Sequence, residues 1–111
     1  MDPKTWPQIT RLVGWLDENA GDLTERERIL LRTLKITEEA GEVAEAVHGA
    51  MGGNPRKGAS HTWSDVEKEL CDVIVTAFVA LASVNPEGGE KAFDARLQHL
   101  VDRVLPSVSE G

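Results

Sequence analysis

The sequence has little that would suit a protein outside the reducing interior of a cell. Cys71 is the only cysteine, so no disulfide can form within the chain, which agrees with a cytoplasmic location. The N-terminus lacks the charged and then apolar pattern of a signal peptide. The most apolar run, from Val73 to Ala82, is much shorter than the roughly 20 residues of a membrane span. We therefore expect a cytoplasmic protein without a membrane partner.

Aromatic and basic residues are also scarce. Aromatics are 5% of the residues and tyrosine is absent, whereas Ala, Leu, Val and Glu dominate and favour helix over sheet. The 12 basic and 19 acidic residues give a formal net charge of -7. Because no basic stripe is visible, we expect no nucleic-acid partner. The length suits a single domain, residues 1–111, whose modest core would gain from a second copy.

Apolar residues at helical spacing predict an all-α protein with four helices. The predicted helices run from about Trp6 to Asn19, from Thr24 to about Met51, from about Ser64 to Val84, and from about Gly89 to Leu105. Two of these helices begin with the capping-box pattern, Thr24 with Glu27 and Ser64 with Glu67. The glycines at 52–53 end the second helix.

The third and fourth predicted helices carry the most apolar surface. Beyond Leu70 the third helix is apolar on almost every side, so we expect protein around it, some of it from another subunit. The fourth helix is predicted to close the domain. Its expected inner stripe is Phe93, Leu97, Leu100, Val101 and Val104.

Acidic residues recur on the two central helices at a spacing that places them on one face. Glu39 and Glu42 are three residues apart, and Glu69 and Asp72 repeat that spacing. The connecting loop of about a dozen residues favours an antiparallel hairpin. Glu42 and Asp72 then lie roughly 13 Å and 12 Å from the loop along their helices. The two pairs can therefore face each other.

Four clustered carboxylates repel one another unless a cation neutralises them. Oxygen ligands alone select a hard cation, Mg²⁺ first and Mn²⁺ as a substitute. No His or Cys joins the four at that spacing, which argues against zinc. The sequence therefore predicts a Mg²⁺ site whose ligands are Glu39, Glu42, Glu69 and Asp72.

These residues also resemble a known motif. The segment 38–42, Glu-Glu-Ala-Gly-Glu, is followed after 26 residues by the segment 69–72, Glu-Leu-Cys-Asp. Together they resemble the EExxE…ExxD signature of the MazG-like nucleotide pyrophosphohydrolases, over roughly half of the chain. The resemblance implies a four-helix, bundle-like MazG-type fold, completed as a homodimer or a dimer of dimers. It also implies hydrolysis of a nucleoside triphosphate to the monophosphate and pyrophosphate, in nucleotide-pool house-cleaning or another role.

The resemblance assigns roles to individual positions. The same four carboxylates would be the Mg²⁺ ligands, and Glu38 would bind a second ion or orient the attacking water. Either Glu38 or Glu45 could accept the proton of that water, and spacing does not choose between these catalytic candidates.

The loop between the central helices supplies candidates for substrate binding. Arg56 and Lys57 could hold the β- and γ-phosphates, or could be ordinary solvated loop cations. Trp63 could stack on a base and His61 could hydrogen-bond to it, although a tryptophan is more often a packing residue.

Two further substrate-binding candidates lie on the metal face of the helices. Lys35, four residues before Glu39, could contact a phosphate or pair with that carboxylate. Thr76 continues the face of Asp72 one turn further along.

Three other interpretations remain open at this point. The same site could act on another diphosphate-containing nucleotide, such as phosphoribosyl-ATP. The chain could instead be a non-enzymatic helical dimer, a regulatory or interaction module. Finally, Glu45 and His48 form an ExxH pattern of the kind found in di-iron proteins, although those proteins use two such motifs.

Overall fold

The computed structural model describes residues 1–53, 55–56 and 58–105. Within these ranges the fold is all-α, as predicted. Its helices are α1 (Thr5–Glu18), α2 (Glu25–Ala50), α3 (Trp63–Val84) and α4 (Gly89–Val104).

The two central helices both begin at capping boxes. The first box is where it was predicted, and the second is formed by a different pair of residues. The Thr24 hydroxyl accepts the amide of Glu27, whose carboxylate accepts the amide of Thr24, as expected. At α3 the box is formed by Thr62 and Asp65, not by Ser64 and its partner. The Thr62 amide and hydroxyl both donate to Asp65. These bonds, the amide first, lower the pKa of Asp65.

Helices α2 and α3 form the predicted antiparallel hairpin. Early residues of α2 meet late residues of α3, since Arg32 donates to the Ser83 hydroxyl at 3.0 Å. At the opposite end, Gly49 lies against His61, just before α3 begins. The hairpin therefore keeps one register along its length and places the middle of each helix opposite the middle of the other.

Helix α1 packs across the C-terminal half of α3. Trp6, Ile9, Val79 and Ala82 form the buried cluster between these helices. Burying such side chains is worth roughly 1.5–3 kcal/mol each for the larger ones.

A salt-bridge network also ties α1 to the hairpin. Asp17 accepts Arg28 at 3.2 Å and Arg32 at 2.8 Å. Because Arg32 also bonds to Ser83, one side chain links three helices.

Helix α4 does not close the domain as the sequence predicted. Its first residue, Gly89, lies so close to Trp6 that a Cβ atom would stand 2.9 Å from the indole. Phe93 packs edge-on against Phe78 of α3. Beyond this point the stripe is exposed, at Leu97, Leu100, Val101 and Val104.

The sequence also predicted that protein would surround α3. In the chain itself Leu70, Ile74 and Val75 are exposed. A helical pattern shows that a surface is apolar, but not that the same chain covers it. Within the described residues no single helix is long and apolar enough to cross a membrane, although α3 and α4 together, bent by 119°, have the required length and composition.

Candidate metal centre

Three of the four predicted metal ligands converge between α2 and α3. Glu39 of α2 and Glu69 and Asp72 of α3 each offer a carboxylate oxygen, and these oxygens lie within 4.8 Å of one another. The first two side chains are largely buried, with 14% and 20% of their surface exposed, and Asp72 is 45% exposed. We call these three residues the carboxylate cluster.

The fourth predicted ligand does not join the cluster. Glu42 lies one turn further along α2, is exposed, and is not among the grouped carboxylates. Like charges repel, and a carboxylate without a cation is better hydrated in solvent. The i,i+3 spacing predicted Glu42 on the same face of α2 as Glu39, but spacing alone does not fix the direction of the side chain.

Lysine side chains flank the carboxylate cluster on both helices. Lys35 Nζ lies 3.8 Å from Glu38 and 4.0 Å from Glu39. On α3, Lys68 donates to Asp72 at 3.1 Å and lies 3.6 Å from Glu69. The hydrogen bond to Asp72, followed by the charges of both carboxylates, raises the pKa of Lys68. Lys68 was not among the predicted site residues, although its i,i+4 spacing to Asp72 is visible in the sequence.

One carboxylate oxygen of the cluster has no hydrogen-bond partner in the part of the chain that the structure describes. Glu69 Oε2 is buried and accepts no hydrogen bond among the described residues. Leaving a buried charged acceptor unpaired costs free energy, which a ligand can recover. The donor set is oxygen-only and anionic, the set that Mg²⁺ and Mn²⁺ prefer. The residues present therefore fit such an ion.

The two candidate proton acceptors lie at different distances from the cluster. Glu38 is adjacent to Glu39 and shares its lysine partner. Glu45 is exposed and stands six residues further along α2, roughly 9 Å along the helix axis. His48, its partner in the ExxH pattern, is exposed as well, and neither residue belongs to the grouped ligands.

The substrate-binding candidates of the loop lie at the end of the hairpin. Arg56 is exposed and His61 is half-buried, while Lys57 lies outside the described residues. Ser60 Oγ and His61 Nδ1 are 2.9 Å apart. A Cβ atom at Gly49 would overlap both of these side chains, so the glycine permits the loop to pack on α2.

An apolar cleft adjoins the cluster on the side away from the loop. It has a volume of about 270 Å³, and Thr76 and Lys35 line it, as does Arg32. Its apolar lining residues are Leu16, Leu31, Val75 and Val79. Helical spacing predicted Leu16 and Leu31 only as core positions, since the approach of α1 to the hairpin is not visible in the helical pattern.

Trp63 and the cleft lie on opposite sides of the carboxylate cluster. Trp63 is the first residue of α3 and is exposed. Thirteen residues separate it from Thr76, roughly 20 Å of helix. One base therefore cannot contact both. Cys71, between two cluster residues, is exposed rather than in the core, because it lies on the side of α3 away from α2.

No family model, curated protein or solved structure matches the chain. The resemblance to the MazG-like enzymes therefore rests on its motif.

Proposed function

We propose that this chain is a Mg²⁺-dependent nucleotide pyrophosphohydrolase that converts a (deoxy)nucleoside triphosphate to the monophosphate and pyrophosphate. The observation that carries the proposal is the carboxylate cluster with its buried, unpartnered oxygen on Glu69. The motif resemblance supports the same chemistry. Three anionic side chains repel a triphosphate by themselves, so a cation has to mediate between the cluster and the substrate.

Different residues of the chain would bind the ion, accept the proton and contact the phosphates. When bound, Mg²⁺ would neutralise phosphate charge, acidify a water and stabilise the pyrophosphate leaving group. Glu39, Glu69 and Asp72 would hold it, and Glu42 would turn inward to add a ligand. Glu38 would accept the proton of the attacking water, because it is nearer to the cluster than Glu45. Lys35 would contact phosphate from the rim of the cleft.

The apolar cleft is the proposed site of the base. Its volume of about 270 Å³ lies just below the range of about 300–1,000 Å³ typical of small-ligand pockets, which suits part of a ligand. Thr76 lies one turn beyond Asp72, so a base in the cleft would place its phosphates at the cluster. The phosphate tail would then extend towards the loop that carries Arg56.

A bulky residue in the cleft should weaken substrate binding. For Leu31→Trp, which fills the cleft, we expect the KM to rise about tenfold or more with kcat nearly unchanged, because ground-state and transition-state contacts are lost equally. Leu30→Trp is the matched control, since Leu30 and Leu31 are 51% and 53% exposed and only Leu31 lines the cleft. Equal KM values for the two variants in steady-state kinetics would contradict the assignment of the base.

A second copy of the chain is the proposed partner. The radius of gyration is 17.6 Å, whereas a compact chain of this size has about 13 Å. The accessible surface is 8296 Å², against roughly 6,000 Å² expected for a 12 kDa protein. The accessible surface beyond the expected value is larger than the approximately 800 Å² that each partner buries in a standard interface. We expect the second copy to cover the exposed apolar residues of α3, Leu70 and Ile74, together with the exposed stripe of α4.

Product analysis on a nucleotide panel tests the activity. The panel contains standard and damaged (deoxy)nucleoside triphosphates and phosphoribosyl-ATP, each with and without Mg²⁺. We expect at least one triphosphate to give the monophosphate and pyrophosphate by ³¹P NMR, and only with Mg²⁺. Orthophosphate and a diphosphate as products would contradict the proposed bond cleavage. Absence of turnover on every nucleotide would favour a non-enzymatic helical dimer.

A further inference from the structure

Among the described residues, Lys68 is the basic side chain that lies nearest to the carboxylate cluster. Its Nζ lies 3.1 Å from Asp72 Oδ2 and 3.6 Å from Glu69 Oε1. Lys35, on the other helix, stays 4.0 Å from its cluster partner. Lys68 thus bridges both carboxylates that α3 contributes, whereas Lys35 touches the cluster at one residue and at longer range.

The position of this ammonium group conflicts with a bound divalent ion. Asp72 and Glu69 would have to turn oxygens towards the ion, and the lysine draws oxygens of both towards itself. A positive charge this near also opposes a second cation by direct repulsion. The side chain is 68% exposed on a flexible stem, so it can swing into solvent once an ion takes its place.

We propose that Lys68 is a resident counter-ion of the metal site, which occupies the cluster without metal and is displaced when a divalent ion binds. The proposal rests on the proposed function, because it presupposes the metal site. It makes Lys68 a positioning residue: the ammonium holds two like charges together in the metal-free protein and sets how readily the ion enters. The cost is a lower affinity for the ion.

Lys68→Met removes the charge and keeps the length of the stem. Exposed ion pairs are worth little, so we expect the Kd for Mn²⁺ to fall by about two- to fivefold. Without metal the same variant should melt about 2–4 °C lower than the wild type. Lys68→Arg can still bridge two carboxylates, so its Kd should equal or exceed that of the wild type. Lys91→Met, on exposed α4, is the control and should leave both readouts unchanged.

Mn²⁺ affinity by calorimetry and metal-free melting temperature supply these readouts independently of turnover. A Kd for Lys68→Met that equals or exceeds the wild-type Kd would overturn the counter-ion role. If the wild type still released pyrophosphate, the proposed function would survive that result. A wild type that binds no Mn²⁺ at all would overturn both proposals together.

Discussion

Replacing Glu69 with Gln is expected to reduce Mg²⁺-dependent pyrophosphate release about 100-fold or more, because the loss of even an outer-shell partner of a metal ligand costs about 10–100-fold. Glutamine keeps the size of the side chain and removes the anionic oxygen that a divalent ion needs. Helicity should be unchanged, because Glu69 lies inside α3, away from the residues that cap it. Initial rates at saturating nucleotide and circular dichroism measure the two quantities.

The same substitution should make the metal-free protein more stable. Glu69 Oε2 is buried and has no hydrogen-bond partner among the described residues, beside two other carboxylates. Neutralising Glu69 removes this repulsion and the cost of the buried charged oxygen, and both outweigh the loss of the exposed ion pair with Lys68. We expect the melting temperature without metal to rise by about 3–6 °C and the stabilisation by Mg²⁺ to disappear.

Glu67→Gln is the matched control for this experiment. Glu67 lies on the same helix, is exposed, and lies outside the grouped ligands. It should leave turnover, metal-free stability and the Mg²⁺ response at wild-type values. Full turnover in the Glu69 variant, or equal losses in both variants, would show that the cluster is not the metal site.

Replacing Leu97 with Glu should convert the proposed dimer to a monomer. Leu97 lies in the exposed stripe of α4 and is 50% exposed in the single chain. Burying a carboxylate in an apolar interface costs several kcal/mol, enough to abolish a dimer of moderate affinity. Light scattering should give twice the 12.1 kDa of one chain for the wild type and a single-chain mass for the variant.

Ala95→Glu controls for the added charge on the same helix. Ala95 is exposed and lies on the side of α4 opposite to Leu97, since two residues turn a helix by about 200°. This variant should remain dimeric. A wild type that is monomeric at micromolar concentration and unfolds cooperatively would contradict the role assigned to the α4 stripe.

Helix positions were predictable because they follow from local chemistry. The Thr24–Glu27 box and the glycines after α2 act within a few residues, and the structure agrees with both. The start of α3 was predicted to within one residue, but its capping box was assigned to the wrong pair, because Thr62 with Asp65 and Ser64 with Glu67 are competing local solutions. The box that forms is the one at Thr62, whose amide and hydroxyl both donate to Asp65.

The site was only partly predictable, for a related reason. Spacing placed Glu39 with the acidic residues of α3, since the hairpin register fixes which turns are level. It could not give the rotamer of Glu42, which depends on charge repulsion in three dimensions. It could not place α1 either, so the contribution of Leu16 to the cleft depended on tertiary packing. The helical pattern showed that α4 has an apolar stripe, but it could not show whether the same chain or a second copy covers that stripe.

The most direct measurement is a crystal structure of the protein grown with Mn²⁺, whose anomalous scattering locates the ion. We predict a peak within coordination distance of Glu39, Glu69 and Asp72, with Glu42 turned inward and the Lys68 ammonium displaced. An absence of anomalous signal at these carboxylates under saturating Mn²⁺, with the lysine contacts intact, would contradict the metal site.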